Sequence, residues 1–130
     1  MVNFVMLNPS TAGEVQDDPT IRRCIGFARR WGYQTLVVTN LFALRATRPA
    51  ELRRVPDPVG PENDDYLREH ARSAECVVAA WGIHGALLDR EAQVRCLLGP
   101  VRLVHLGLTG AGHPRHPLYL RNAAAPREWV

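Results

Sequence analysis

The chain has 130 residues, 46% of them apolar, and a formal net charge of +3. That length supports one domain, residues 1–130, around a single core, and no apolar run approaches a membrane span. All 16 basic residues are arginine; without lysine there is no side-chain Schiff base and no phosphate-loop lysine, whereas arginine keeps its bidentate reach toward phosphates and base edges.

The opening "MVNFVML" lacks a basic stretch and a long apolar stretch, so no signal peptide is expected and the chain reads as cytoplasmic. Its continuation "NFVMLN" (3–8) is the first of four continuous apolar runs suited to a buried parallel sheet; "TLVVTN" (35–40), "CVVAAWG" (76–82) and "VRLVHLGL" (101–108) are the others. Between the first two, "DPTIRRCIGFARRWG" predicts a helix capped by Asp18, with Pro19 in its first turn and Gly32 at its end. Ile21, Cys24, Ile25 and Ala28 share its apolar face, and Arg22, Arg29 and Arg30 its solvated one. After the second run comes a long arginine- and proline-containing connection, 41–59, of the kind that usually binds something. "GPENDDYLREHARSA" predicts a second helix with Leu67, His70, Ala71 and Ala74 on one stripe, and "GALLDREAQVRCLLG" a third. Strand–helix alternation with right-handed crossovers implies a three-layer α/β fold with a four-stranded parallel sheet in the order 2-1-3-4. Cys24, Cys76 and Cys96 form no CxxC pair and read as reduced, buried thiols.

In such a sheet all carboxyl ends share one edge, where ligands bind. The first run ends in Asn8-Pro9-Ser10-Thr11, the second in Asn40-Leu41-Phe42, the third in Trp81-Gly82, and the fourth leads to His116-Pro117. Two amides, an indole and an imidazole are therefore expected around one cleft.

The succession "MLNPSTAG", "DDPTIRR", "NLFALRAT", "PVGPEND" and "PRHPLYL" resembles, over nearly the whole chain, the family designated domain of unknown function 1643. More loosely, "LNPS", "TNLFALR" and "HPLYLRN" in that order are similar to the uracil-DNA glycosylase superfamily. That second resemblance implies a uracil-DNA glycosylase-like fold and a role in DNA repair. It implies that Asn8 positions the attacking water, Asn40 reads the base edge, His116 donates to the departing base, and Leu120 wedges into the duplex. Serine rather than glycine follows Asn8-Pro9, which departs from that superfamily's motif.

Cleaving an N-glycosidic bond yields an oxocarbenium-like sugar and an anionic base, so a neutral histidine donor stabilises charge that develops only in the transition state. An asparagine amide pairs with a pyrimidine edge in two places. The enzyme must extrude its base, on which Phe42 or Trp81 would stack. Arg45 and Arg121, which follow the motif asparagine and histidine, are candidates for phosphate contact. DNA or a nucleotide is the expected partner, with no membrane and no cofactor; three cysteines do not make a four-thiolate iron–sulfur site.

Simpler roles compete at several positions. Asn8 before proline can serve its own turn, and His70 on an apolar stripe reads as a satisfied core histidine. His113 and His116 would make a metal pair only with a third ligand, which the sequence does not supply nearby. Asp17 and Asp18 suit helix capping, with Asp17 a lesser candidate for general base. The leading expectation is a monofunctional glycosylase-like hydrolase; the alternatives are a non-catalytic nucleic-acid or nucleotide binder and a small metal-dependent hydrolase.

Overall fold

The computed structural model describes residues 1–9 and 18–130. In chain order it contains β1 (Val2–Met6), α1 (Pro19–Arg30), β2 (Leu36–Asn40), α2 (Asn63–Ser73), β3 (Cys76–Ala79), α3 (Arg90–Leu98), β4 (Leu103–His105) and β5 (Arg127–Glu128). The sheet order is β2-β1-β3-β4-β5. The first four strands are parallel, in the order the sequence implies. The expected purely parallel, four-stranded sheet is corrected by β5, which runs antiparallel to β4 and pairs Val104 with Glu128 and His105 with Arg127. Without it β4 would end the sheet with a row of unpaired backbone groups. The neighbouring Trp129 N–H extends the pairing, donating to Leu103 O at 2.8 Å.

Alternation along the strands sorts side chains to two covered faces. Val2, Phe4 and Met6 of β1, with Val78 and Ala80, pack on Cys24, Phe27 and Ala28 of α1. Val5, Leu7, Val77, Ala79 and Leu103 pack on Leu67 and Ala71 of α2 and Val94 and Leu98 of α3. Both faces are therefore dry, which is why these runs are continuously apolar rather than alternating. Asn3 is the exception. Fully buried on the α2–α3 side, it donates through Nδ2 to Val37 O and Thr39 Oγ1, each at 3.2 Å. Its Oδ1 has no hydrogen-bond partner among the described residues.

Asp18 caps α1, accepting from the backbone N–H of Thr20 at 2.8 Å and Ile21 at 3.4 Å, and Pro19 opens the helix. The buried stripe is Cys24, Phe27 and Ala28, not the expected set with Ile25, which is 36% exposed. Trp31, just past the helix, explains the shift: it stacks on Phe4 and Phe27 at 5.9 and 5.5 Å and draws Phe27 inward. The third helix begins later than its sequence suggests. Leu88 and Asp89 have φ of +54° and +58°, a left-handed pair that breaks the run before Arg90. His70 is half-buried and stacked on Tyr66 rather than set in the core. Of the thiols only Cys24 is buried; Cys76 is half-buried and Cys96 exposed. No helix among the described residues is long and apolar enough to cross a membrane.

Candidate functional site

The carboxyl ends of β2, β1 and β3 stand side by side, with β1 in the middle. Asn8 and Asn40 therefore sit on adjacent strands: Met6 pairs with Asn40, and backbone bonds from Leu41 N–H to Met6 O and Phe42 N–H to Leu7 O continue that register past the strands, each at 2.9 Å. The Asn8 carboxamide is heavily engaged. Its Nδ2 donates to Ala46 O at 2.8 Å, to Pro9 O at 3.0 Å and to Leu44 O at 3.5 Å. It thus ties the start of the long 41–59 connection to the end of β1, and among the described residues only its oxygen is without a partner.

Asn40 lies on the α1 side of β2, in step with Leu36 and Val38, and among the described residues its carboxamide has no hydrogen-bond partner. The backbone beneath it is fixed by two buried polar side chains the sequence did not single out. Asn63, near the start of α2, donates to Asn40 O at 2.8 Å and Leu41 O at 3.1 Å. Arg90, 3% exposed, donates through Nε to Leu41 O at 2.8 Å and pairs with Asp64 at 2.5 Å. A buried arginine that opens a helix reads as surface charge in a one-dimensional pattern; a guanidinium reaching a strand-end carbonyl is a tertiary event.

His116 arrives at this edge because the chain crosses the end of β3. Gly82, with φ +77°, donates its N–H to Pro114 O at 2.9 Å. A Cβ built on Gly82 would lie 3.6 Å from the His116 Cβ, which fixes how close the two segments run. His116 caps a 3₁₀ turn, Pro117–Tyr119, and its Nδ1 accepts the Leu118 N–H at 3.2 Å. A neutral ring with Nδ1 so occupied carries its proton on Nε2 and can donate from there. Burial lowers its pKa below the ordinary value, against an opposing pull from the Asp18 carboxylate. Arg23 of α1 holds the whole turn: its Nε donates to Pro117 O at 3.2 Å, and its terminal nitrogens donate to Leu120 O and Asn122 Oδ1.

The other candidates disperse. Phe42 is fully buried and Trp81 is 1% exposed, both on the α2–α3 face. In this arrangement neither ring offers a face for stacking, and the indole expected beside Asn8, Asn40 and His116 is instead buried in the α2–α3 core. Trp81 instead donates to Glu91 Oε1 at 2.7 Å, and the same oxygen lies 3.1 Å from His113 Nδ1. His113 therefore pairs with a carboxylate on α3 rather than with His116. Leu120 is half-buried and packed against the α1-side core, whereas Leu118 and Tyr119 are 45% and 78% exposed. Arg45 and Arg121 are exposed. Ser10, Thr11 and Asp17 lie outside the described residues.

The family model for a protein of unknown function designated DUF1643 matches residues 1–118. No curated protein and no solved structure matches the chain.

Proposed function

The chain belongs to DUF1643, a family of proteins of unknown function, and from that premise we propose that it is a glycosylase-like hydrolase of the N-glycosidic bond of a base in DNA or a nucleotide. One observation carries the reading: His116 is a partly buried imidazole whose Nδ1 accepts the Leu118 N–H, so its neutral form presents Nε2–H. Heterolysis sends the bonding pair onto the departing base, and a fixed neutral donor aimed at the base oxygen stabilises that charge without proton transfer. The lowered pKa keeps the ring neutral at pH 7. Water adds to the anomeric carbon, guided by the Asn8 oxygen, and loses its proton to solvent. Asn40 offers the donor–acceptor pair for the base edge. No lysine exists to form a side-chain imine and only the amino terminus could substitute, so an uncleaved abasic sugar is the expected product.

The alternative, a non-catalytic nucleic-acid or nucleotide-binding domain, draws support from Asn8, whose Nδ2 is spent on the 44–46 loop. Single-turnover assays on oligonucleotides carrying uracil or another non-standard base separate the two. Free base and an intact abasic strand are expected from the native protein. His116→Ala should slow that step about a hundredfold with affinity and melting temperature nearly unchanged. An unaltered chemical rate in a folded His116→Ala protein refutes the catalytic role, and binding without any base release across the panel establishes the alternative.

A further inference from the structure

A groove of about 800 Å³ runs beside the carboxyl end of β4, between that strand and the segment 119–127. Arg115, Arg121 and Arg127 line it, and no carboxylate among the described residues does. Elsewhere the fold pairs guanidinium groups that lie near acids, as in Arg68–Asp65 and Arg90–Asp64. Here Arg121 and Arg127 have no ion-pair partner among the described residues. Arg115 donates through Nε to Leu108 O at 3.2 Å, which lays its side chain across Gly107, and among the described residues its terminal nitrogens have no partner. In register, Arg127 stands opposite His105 and the adjacent Glu128 opposite Val104; Arg127 lines the groove. Burial, and after it the Arg127 guanidinium, lowers the His105 pKa below its ordinary value.

Convergent guanidinium groups without a counter-charge repel one another and favour an anion between them. The rim supplies a second kind of contact. Tyr119 is 78% exposed, and its turn is held rigidly by the Arg23 bonds to Pro117 O and Leu120 O. Ala123, Ala124 and Ala125 form a low wall that lets a backbone approach. Arginines along an open groove with one presented aromatic ring are how a protein grips an unpaired strand. We infer that this groove binds the phosphates of a single strand of nucleic acid, with a base stacked on Tyr119.

The inference requires binding and no bond cleavage, so it stands or falls apart from the glycosylase reading. The test is fluorescence anisotropy of the full chain with a labelled oligothymidylate of roughly ten nucleotides, over a range of salt. The Arg121→Ala/Arg127→Ala protein should bind about tenfold or more weakly, and its log K against log salt slope should fall by about 1.4, the loss of two phosphate contacts. The matching double lysine variant should keep most of that slope. Tyr119→Ala should weaken binding roughly five- to hundredfold, with little change in slope. These side chains are exposed, and melting curves matching the native protein certify the variants as folded. A native protein that fails to bind the strand, alanine variants that bind as the native protein does, tighter binding of the duplex, or displacement of the strand by equimolar thymidine monophosphate would each overturn the inference.

Discussion

Gly85 sits in the turn between β3 and α3 with no room for a side chain. A Cβ there would fall within the Trp81 indole, 2.5 Å from Nε1 and 3.1 Å from Cγ, and nearer still to Cδ1. Ordinary contact begins near 3.4 Å, so Gly85→Ala must push the ring by about an ångström. The ring cannot yield cheaply: Trp81 is 1% exposed, tilted against Trp129 at 5.5 Å, and bonded to Glu91 at 2.7 Å. Overpacking of this kind costs about 1–3 kcal/mol. A hydrogen bond to a charged partner is worth about 1.5–3 kcal/mol. Restricting the unfolded chain returns about 0.4–1 kcal/mol. The net expectation is a loss of about 2–5 kcal/mol, or a melting temperature lower by roughly 10 °C in a chain of this size. Urea titration gives the free energy, and tryptophan emission should shift to the red as the indole leaves its site. A Gly85→Ala protein within about 0.5 kcal/mol of the native one, with unchanged emission, would refute the packing argument.

Arg90→Met should cost about 2 kcal/mol, less than a fully buried pair, because Asp64 is 45% exposed and can hydrate while Leu41 O keeps its bond from Asn63; urea denaturation measures it, and no loss would show the pair to be incidental. His105 and His116 both have lowered pKa values in the folded protein, so the unfolded chain takes up these protons first as pH falls. Stability should be level above about pH 7.5, decline as pH drops through the ordinary value of 6.5, and level off below the folded values. Replacing both with glutamine should flatten that decline, and an unchanged profile would contradict the shifts. Cys24 is buried, with its thiol pushed up to about 12, whereas Cys96 is exposed. A thiol-specific disulfide reagent should therefore label Cys96 quickly and Cys24 only on global unfolding, and comparable rates for the two would be wrong for this fold.

The four parallel strands were legible because burial on both faces writes itself as unbroken β-branched runs; three observed strands fall within their runs, and β1 starts one residue before its own, at Val2. β4 is shorter than "VRLVHLGL" suggests because the chain turns at Gly107, φ +146°. β5 carries no apolar signal: it is two exposed residues whose pairing is decided by the backbone of its neighbour. Asn8, Asn40 and the His116 segment were reachable from chain order alone, since strand ends in a parallel sheet share an edge. The side each residue faces was partly readable as well. Trp81 is in step with Val77 and Ala79, and that parity sends the indole into the α2–α3 core. Phe42, buried next to an equally buried Leu41, follows no alternation; its place depends on the 41–59 connection folding back. Asn63 and Arg90 were invisible because their partners are backbone carbonyls 22 and 49 residues away.

The buried carboxamide of Asn3 gives the sheet a single correct alignment. It lies on β1, where parallel neighbours on either side could otherwise slide past one another with one aliphatic surface traded for the next. A slip of one residue would carry Asn3 to the α1 side, among Phe27 and the indole of Trp31, and strip its N–H groups of Val37 O and Thr39 Oγ1. The misaligned chain would then bury an amide without its cross-strand partners, keeping only the local 3.4 Å bond to Phe4 O, a penalty of about 1–3 kcal/mol that no aliphatic residue would impose. Among the described residues, the native alignment already leaves one oxygen of this amide unpaired. Asn3→Val should accordingly leave a protein of similar or greater stability that folds less cleanly, with misregistered species during refolding.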